Sequence, residues 1–319
     1  MSTSSILPHS WHSGLDDSFH GKITADGPFQ PEKDRYHLYI GLFCPFAHRA
    51  SLLLHVKQLQ HYAGIETSIV RPYPKGNDEG WPGWRLNTIG AVDNYEGATE
   101  DKLFGSKFMH EELADITLYP EHLRAKIDAL TPILQRDLNT GVYKAGFAPD
   151  QQAYEKNLPP VFAILNLLER IASSNGGPYI LGRELTEVDV RVFCTLIRFD
   201  VVYVQHFKTN LSMIRYGYPT LYNWLKGLYW NNKAFEETTD FRHIKENYTK
   251  SHADINPRAI TPVGPWPHID RGYDDDWSGV RVGEVDHPEV KEYEKKLDDE
   301  LKTAAPDSSH GGFSLDNFK

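Results

Sequence analysis

The sequence predicts an α/β unit followed by an all-α unit. Three observations predict this order. A strand–helix–strand pattern occupies residues 36–71, a stretch dense in Pro, Gly and Asn follows over 72–100, and from about residue 118 apolar residues recur at helical spacing.

Taken in order, residues 1–34 are rich in Ser, His, Gly and Pro and read as an irregular lead-in. YHLYIGL (36–42) reads as a strand. Leu52, Val56 and Leu59 share one face of the helix expected after Cys44, and ETSIVR (66–71) reads as a second strand. A helical crossover between two strands implies parallel pairing. In the second unit Leu123, Ile127, Leu130 and Leu134 mark a helix entered through Pro120 as its first residue, with Pro132 expected to kink or end it. A further helix is expected over 150–172, interrupted by Pro159-Pro160 and closed by Gly176-Gly177. Thr186 and Asp189 form a variant capping box before the apolar run VRVFCTLIRFDVVYV, which suits a buried helix. Pro219 opens a helix through Tyr229, and another covers 240–249. Residues 270–319 are acidic and read as weakly ordered, except for a thin apolar stripe of Val290, Tyr293, Leu297 and Leu301. The expected divisions are a lead-in (1–34), an α/β domain (35–112), a helical domain (113–268) and an acidic tail (269–319).

Composition narrows the function. Hydrophobic residues make up 40% and charged residues 24% of the 319, which fits a soluble globular protein. A formal net charge of -10 lacks the basic footprint of a nucleic-acid binder. The N-terminal stretch has no apolar core of a secretory signal, and no run approaches a membrane span. Two cysteines build no disulfide framework, so a reducing, cytoplasmic setting is expected. HExxH, GxSxG and P-loop patterns are missing and the fifteen histidines are scattered, so no metal is expected.

Cys44 carries the chemistry. It ends the first strand, precedes Pro45 and opens a helix. Helix N-termini present unpaired N–H groups and the positive end of the macrodipole, a setting that favours a thiolate over a thiol. A dithiol motif needs a second cysteine three residues on, and Ala47 stands there. The site is therefore a monothiol, which an outside thiol must release after it attacks sulfur. Glutathione is the abundant cytosolic candidate. His48 and Arg49 follow on the first helical turn and read as solvated or packed against the sheet edge, with a contribution of their positive charge to the field at Cys44 as the alternative. Cys194, set among Val192, Phe193, Leu196 and Ile197, reads as buried.

RYHLYIGLFCPFAHR (35–49), DKLFGSKF (101–108), LYPEHLRAKID (118–128), NTGVYKAGFA (139–148), LTEVDVRVFCTLIRFDVVYVQHFK (185–208) and HIKENYTKSHADINP (243–257) together resemble the Xi-class glutathione transferases, the glutathionyl-hydroquinone reductases, which are similar to the omega class in using a cysteine. The resemblance implies a thioredoxin-like N-terminal domain joined to an all-helical C-terminal domain, as a homodimer. It implies reductive deglutathionylation of small aromatic, quinone-derived substrates with glutathione as co-substrate, no metal, and no nucleic-acid or membrane partner. Carried onto this chain it makes Cys44 the nucleophile and places Phe46 beside glutathione, with Trp84, or else Trp81, in the loop after the second strand. Tyr143, Tyr203 and Tyr248 would surround the substrate ring.

The chain departs from that pattern twice. Phe46 stands where the family usually has Trp. SKFMHE (106–111) runs almost directly into ELADITLYPEHLR, without the family's Thr-Val-Pro-Val strand or the Asn-Glu-Ser-Ser turn that opens the next helix. Those segments grip the cysteinyl and γ-glutamyl parts of glutathione. Their loss truncates the thioredoxin-like sheet and leaves an exposed edge. Two further readings stay open: a non-catalytic binding or assembly protein that lost its glutathione site, and a glutathione-conjugating enzyme of a specialised biosynthetic route.

Overall fold

The structure, a computed structural model, describes residues 23–27, 29–70, 72, 96, 117–273, 277 and 280–304. Strands β1 (His37–Ile40) and β2 (Glu66–Ile69) pair in parallel, with His37 opposite Glu66 and Ile40 opposite Ile69. They are joined through α1 (Pro45–Val56) and the single turn α2 (Leu59–Tyr62), which is the expected strand–helix–strand unit. Among the described residues these two strands are the whole sheet. So small a sheet cannot bury much by itself. Its helix instead leans on the second unit, where Leu52 joins the main core.

That second unit is helical throughout. A 3-10 turn (Glu121–Leu123) leads into α3 (Arg124–Ile133), a π-helical stretch (Leu134–Asn139) and α4 (Gly141–Gly146). Pro120 caps the opening turn from outside rather than standing within it. Pro132 neither ends nor breaks α3; the helix widens to π winding two residues later. A proline removes one N–H from the ladder and crowds the carbonyl four residues back, and a wider winding relieves both.

Helix α5 (Gln151–Asn175) is the central post, and Pro159-Pro160 do not interrupt it. The carbonyls these prolines leave unbonded belong to Glu155 and Lys156, both exposed, where water takes the place of the missing N–H groups. Asp150 caps its start by accepting from Ala153 N, and Gly176 ends it at φ 70°, where a side chain would be strained. Next come α6 (Glu187–Arg198), a second π-helical stretch (Phe199–Tyr203), α7 (Val204–His206), α8 (Ile214–Gly217), α9 (Pro219–Asn231), α10 (Lys233–Glu237) and α11 (Phe241–Ser251). The core fills the space between α5 and α6, around Phe162, Leu165, Leu168, Val192 and Phe193, all fully buried.

The stripe in the acidic tail belongs to α12 (Pro288–Ala304), which packs on α5. Val290, Leu297 and Leu301 are buried against the core. Arg170 donates to Glu294 at 2.5 Å and Arg136 to Glu300 at 2.9 Å, fixing the helix at two points. No helix among the described residues is long and apolar enough to cross a membrane.

Candidate active site

Cys44 takes the N-cap position of α1, with φ -80° and ψ 122°, and Pro45 follows inside the first turn. Its N–H donates to Gly41 O at 3.0 Å and its carbonyl accepts from His48 N at 2.9 Å, so the backbone around it forms a closed turn. The side chain is half-buried. Cys194 on α6 is fully buried, and burial pushes its thiol up to about 12. The two thiols thus divide into a reachable one and an inert one.

His48 is packed rather than a source of positive charge at Cys44. It is fully buried, and burial, then the charge of Arg198, hold its imidazole well below the ordinary range. The neutral ring has one possible tautomer. Arg198 Nη1 donates to Nδ1 at 3.1 Å, so the proton sits on Nε2 and is given to Thr238 Oγ1 at 2.7 Å. Thr238 passes its own proton to Ala234 O at 2.6 Å. Arg49 keeps its charge near Cys44, donating to Gln135 Oε1 at 3.2 Å and Asn139 Oδ1 at 2.5 Å and lying over the Phe46 ring at 5.2 Å.

This arrangement has a pH signature. The unfolded chain takes up a proton at each histidine as pH falls through about 6.5. Folded His48 resists it, and so does His206, which burial lowers to about 4. Both groups are depressed in the fold, so their stabilisation is complete above pH 6.5 and is lost below it. Urea midpoints are expected to fall between pH 6.5 and 5.5 at up to about 1.4 kcal/mol per pH unit for each histidine, and His48→Gln should flatten the slope. Midpoints independent of pH over that range would refute the neutral assignment.

The three tyrosines singled out from the sequence come together. Tyr248 Oη lies 2.5 Å from Tyr143 Oη and 2.9 Å from Tyr203 Oη. Tyr143 sits on α4, Tyr203 ends the second π-helical stretch, and Tyr248 lies on α11. Both Tyr143 and Tyr203 therefore come directly after or within a widened helix, a common way to re-aim side chains at a site. Gly146 allows the close approach that α4 needs, since a Cβ there would stand 2.1 Å from Phe207 Cδ1. Phe207 stacks on Tyr203 with ring centroids 5.4 Å apart. All three tyrosines are buried, and burial pushes their phenols up, Tyr203 to about 12. They are neutral donors. Phe46 connects the cluster to the cysteine helix, with its ring 6.1 Å from that of Tyr143.

Trp81 and Trp84 lie outside the described residues. Among the described residues no group of three or more His, Cys, Asp or Glu is placed to hold a metal. Sequence reasoning missed Arg198, Thr238 and Asn139, which link α1 to the helical unit. Arg198 alone left a signal: it is a cation inside an apolar run.

Comparison with known proteins agrees with this picture. Residues 151–227 match the model of the glutathione S-transferase C-terminal domain. The chain is 40% identical to Glutathione S-transferase omega-like 2 of Schizosaccharomyces pombe over 290 residues, covering 79% of this chain and 93% of that protein. That span is longer than 79% of 319 residues can fill, so tens of positions in the relative have no counterpart here, in keeping with the segment missed after SKFMHE. Glutathionyl-hydroquinone reductase YqjG of Escherichia coli is 34% identical over 82% of this chain and 87% of its own. The glutathione-bound structure of YqjG superposes with TM-score 0.69 at 33% identity, covering 81% of this chain and 96% of that one. The glutathione-S-transferase Xi from Phanerochaete chrysosporium gives TM-score 0.70 at 36% identity, covering 78% and 96%.

Proposed function

Because the chain belongs to the Xi-class, omega-like glutathione transferases, we propose that this enzyme reduces glutathionyl-hydroquinones through Cys44. The observation that carries the reading is the placement of a half-buried monothiol at the N-cap of α1, a helix whose Phe46 ring lies 6.1 Å from that of Tyr143 in a neutral tyrosine triad.

The chemistry balances as two exchanges. The Cys44 thiolate attacks the sulfur of the aryl thioether, a Cys–S–S–glutathione bond forms, and the electron pair of the broken carbon–sulfur bond stays on the ring carbon, which takes a proton. The aryl carbon is reduced by two electrons, and the sulfurs of Cys44 and of glutathione are each oxidised by one. A second glutathione thiolate then attacks the mixed disulfide, freeing Cys44 and leaving as oxidised glutathione. Arg49 and the N-terminus of α1 bring positive charge to the cysteine end of the helix, and Phe46 offers the substrate an aromatic face. The tyrosine hydroxyls are the donors offered to a ring oxygen of the substrate, and burial keeps them protonated near neutral pH. The protein acts in the reducing cytoplasm as a homodimer.

Supplied with glutathione and a glutathionyl-hydroquinone, the protein is expected to release free hydroquinone and oxidised glutathione in equal amounts. No release, together with no retention on glutathione resin, would instead favour the non-catalytic reading.

A further inference from the structure

Arg198, the last residue of α6, is fully buried. Its guanidinium donates to Leu42 O at 2.8 Å, Phe43 O at 2.9 Å, Cys194 O at 2.7 Å and His48 Nδ1 at 3.1 Å. None of these partners is a carboxylate, and among the described residues no carboxylate pairs with it. Two other deeply set cations differ: Arg215 has Asp200 at 3.1 Å and Lys226 has Asp270 at 3.2 Å. A buried charge without a counter-ion is costly, and in a chain of net charge -10 carboxylates are not scarce.

Two of the three carbonyls that Arg198 holds belong to the residues immediately before Cys44. One of them is the carbonyl of the peptide group that supplies the Cys44 N–H. The fork of the guanidinium fits this pair of acceptors, which fixes where the turn presents the cysteine. The groups around it are His48 and Arg49 from α1, Cys194 from its own helix, Tyr143 from α4, Tyr203 from the second π-helical stretch and Tyr248 from α11. His48 is held neutral. Burial keeps the phenols and Cys194 protonated near neutral pH. Arg49 is a second cation, bonded to two amides and no carboxylate. Of the acidic groups gathered here, Cys44 alone is partly open to solvent.

We propose that Arg198 is a positioning residue for Cys44: it pins the turn that carries the cysteine and, with no carboxylate of its own, is the fixed cation beside which the thiolate forms. The inference rests on Cys44 being the reacting group, as proposed above. A guanidinium already paired with a carboxylate would present little net field; this one keeps its whole charge for the site.

The test compares wild type with Arg198→Lys and Arg198→Gln by the rate at which iodoacetamide alkylates Cys44 at pH 7, each protein held where circular dichroism shows it fully folded. Lysine keeps the charge and loses the fork, whereas glutamine keeps an amide donor and loses the charge. Arg198→Gln is expected to react about tenfold more slowly than wild type and Arg198→Lys within about threefold of it. Equal rates in all three, or equal slowing in the two variants, would overturn the proposal. If neither variant folds, Cys44→Asp and Cys44→Asn decide: both cap helices well, and the aspartate is expected to melt higher because the cation gains a partner. An aspartate melting no higher than the asparagine overturns the proposal. Alkylation needs no glutathione, so failure of the glutathione reaction alone would strike the proposed function and leave this result standing.

Discussion

Cys44→Ser is expected to abolish hydroquinone release, by about a thousandfold or more, while leaving the fold intact. A hydroxyl forms no disulfide, so the first exchange has no intermediate to pass through. Nothing nearby substitutes for it. Cys194 is fully buried and its thiol is pushed up to about 12 by burial, and among the described residues no other cysteine exists. The fold should tolerate the change because serine is among the best N-cap residues, whereas Cys44 makes no side-chain capping bond. Thermal midpoint and urea midpoint should match or slightly exceed wild type. Residual turnover above a few per cent would mean that catalysis does not pass through this thiol.

The largest effect on stability is expected at Asp189. Its carboxylate is fully buried and accepts four bonds: Ile180 N at 2.9 Å, Thr186 N at 2.9 Å, Thr186 Oγ1 at 2.9 Å and Trp224 Nε1 at 3.0 Å. It thereby joins the start of α6 to the loop before it and to α9. Asp189→Ala leaves all four donors buried without an acceptor and opens a hole beside Trp224. The expected loss is about 3–5 kcal/mol, a large part of the stability of an ordinary domain. Asp189→Asn keeps the shape but turns one acceptor into a donor facing a donor, so it should fall between alanine and wild type. Urea unfolding followed by far-UV circular dichroism measures both. A loss below about 1 kcal/mol for the alanine variant would show that water or rearranged backbone fills the gap.

Much of this architecture was legible in the sequence because it is written in local signals. Thr186 and Asp189 announce the start of α6 through cap chemistry, Pro219 announces α9, and the spacing of Leu52 and Val56 announces α1. The proline expectations failed for a physical reason. Pro159-Pro160 were expected to break a helix, yet the freed carbonyls sit on exposed residues where water satisfies them, and the buried face of α5 supplies the packing that holds the helix together. Pro132 was absorbed by π winding, which no sequence periodicity encodes. His48 illustrates the limit for charge. One helical turn from Cys44 its charge is not legible locally: burial, then the charge of Arg198, keeps it neutral, and its ring contacts Arg198 and Thr238, 150 and 190 residues away along the chain. The tyrosines were found through motif resemblance alone; their shared hydroxyl contacts join residues 105 and 45 positions apart, and no local pattern reports such a pairing.

The same logic governs the shortened α/β unit. A two-stranded sheet would be marginal on its own. Here Arg198 grips the end of the first strand, His48 reaches Thr238 and Leu52 enters the helical core, so the helical unit holds the cysteine turn in place. The cysteine turn therefore rests on the helical unit rather than on the small sheet alone.

The most direct measurement is the intact mass of the folded protein after exposure to oxidised glutathione, with the modified residue located by peptide mapping. The account predicts one glutathione per chain, held on Cys44 and released by free glutathione. A folded protein that stays unmodified at Cys44 would contradict it.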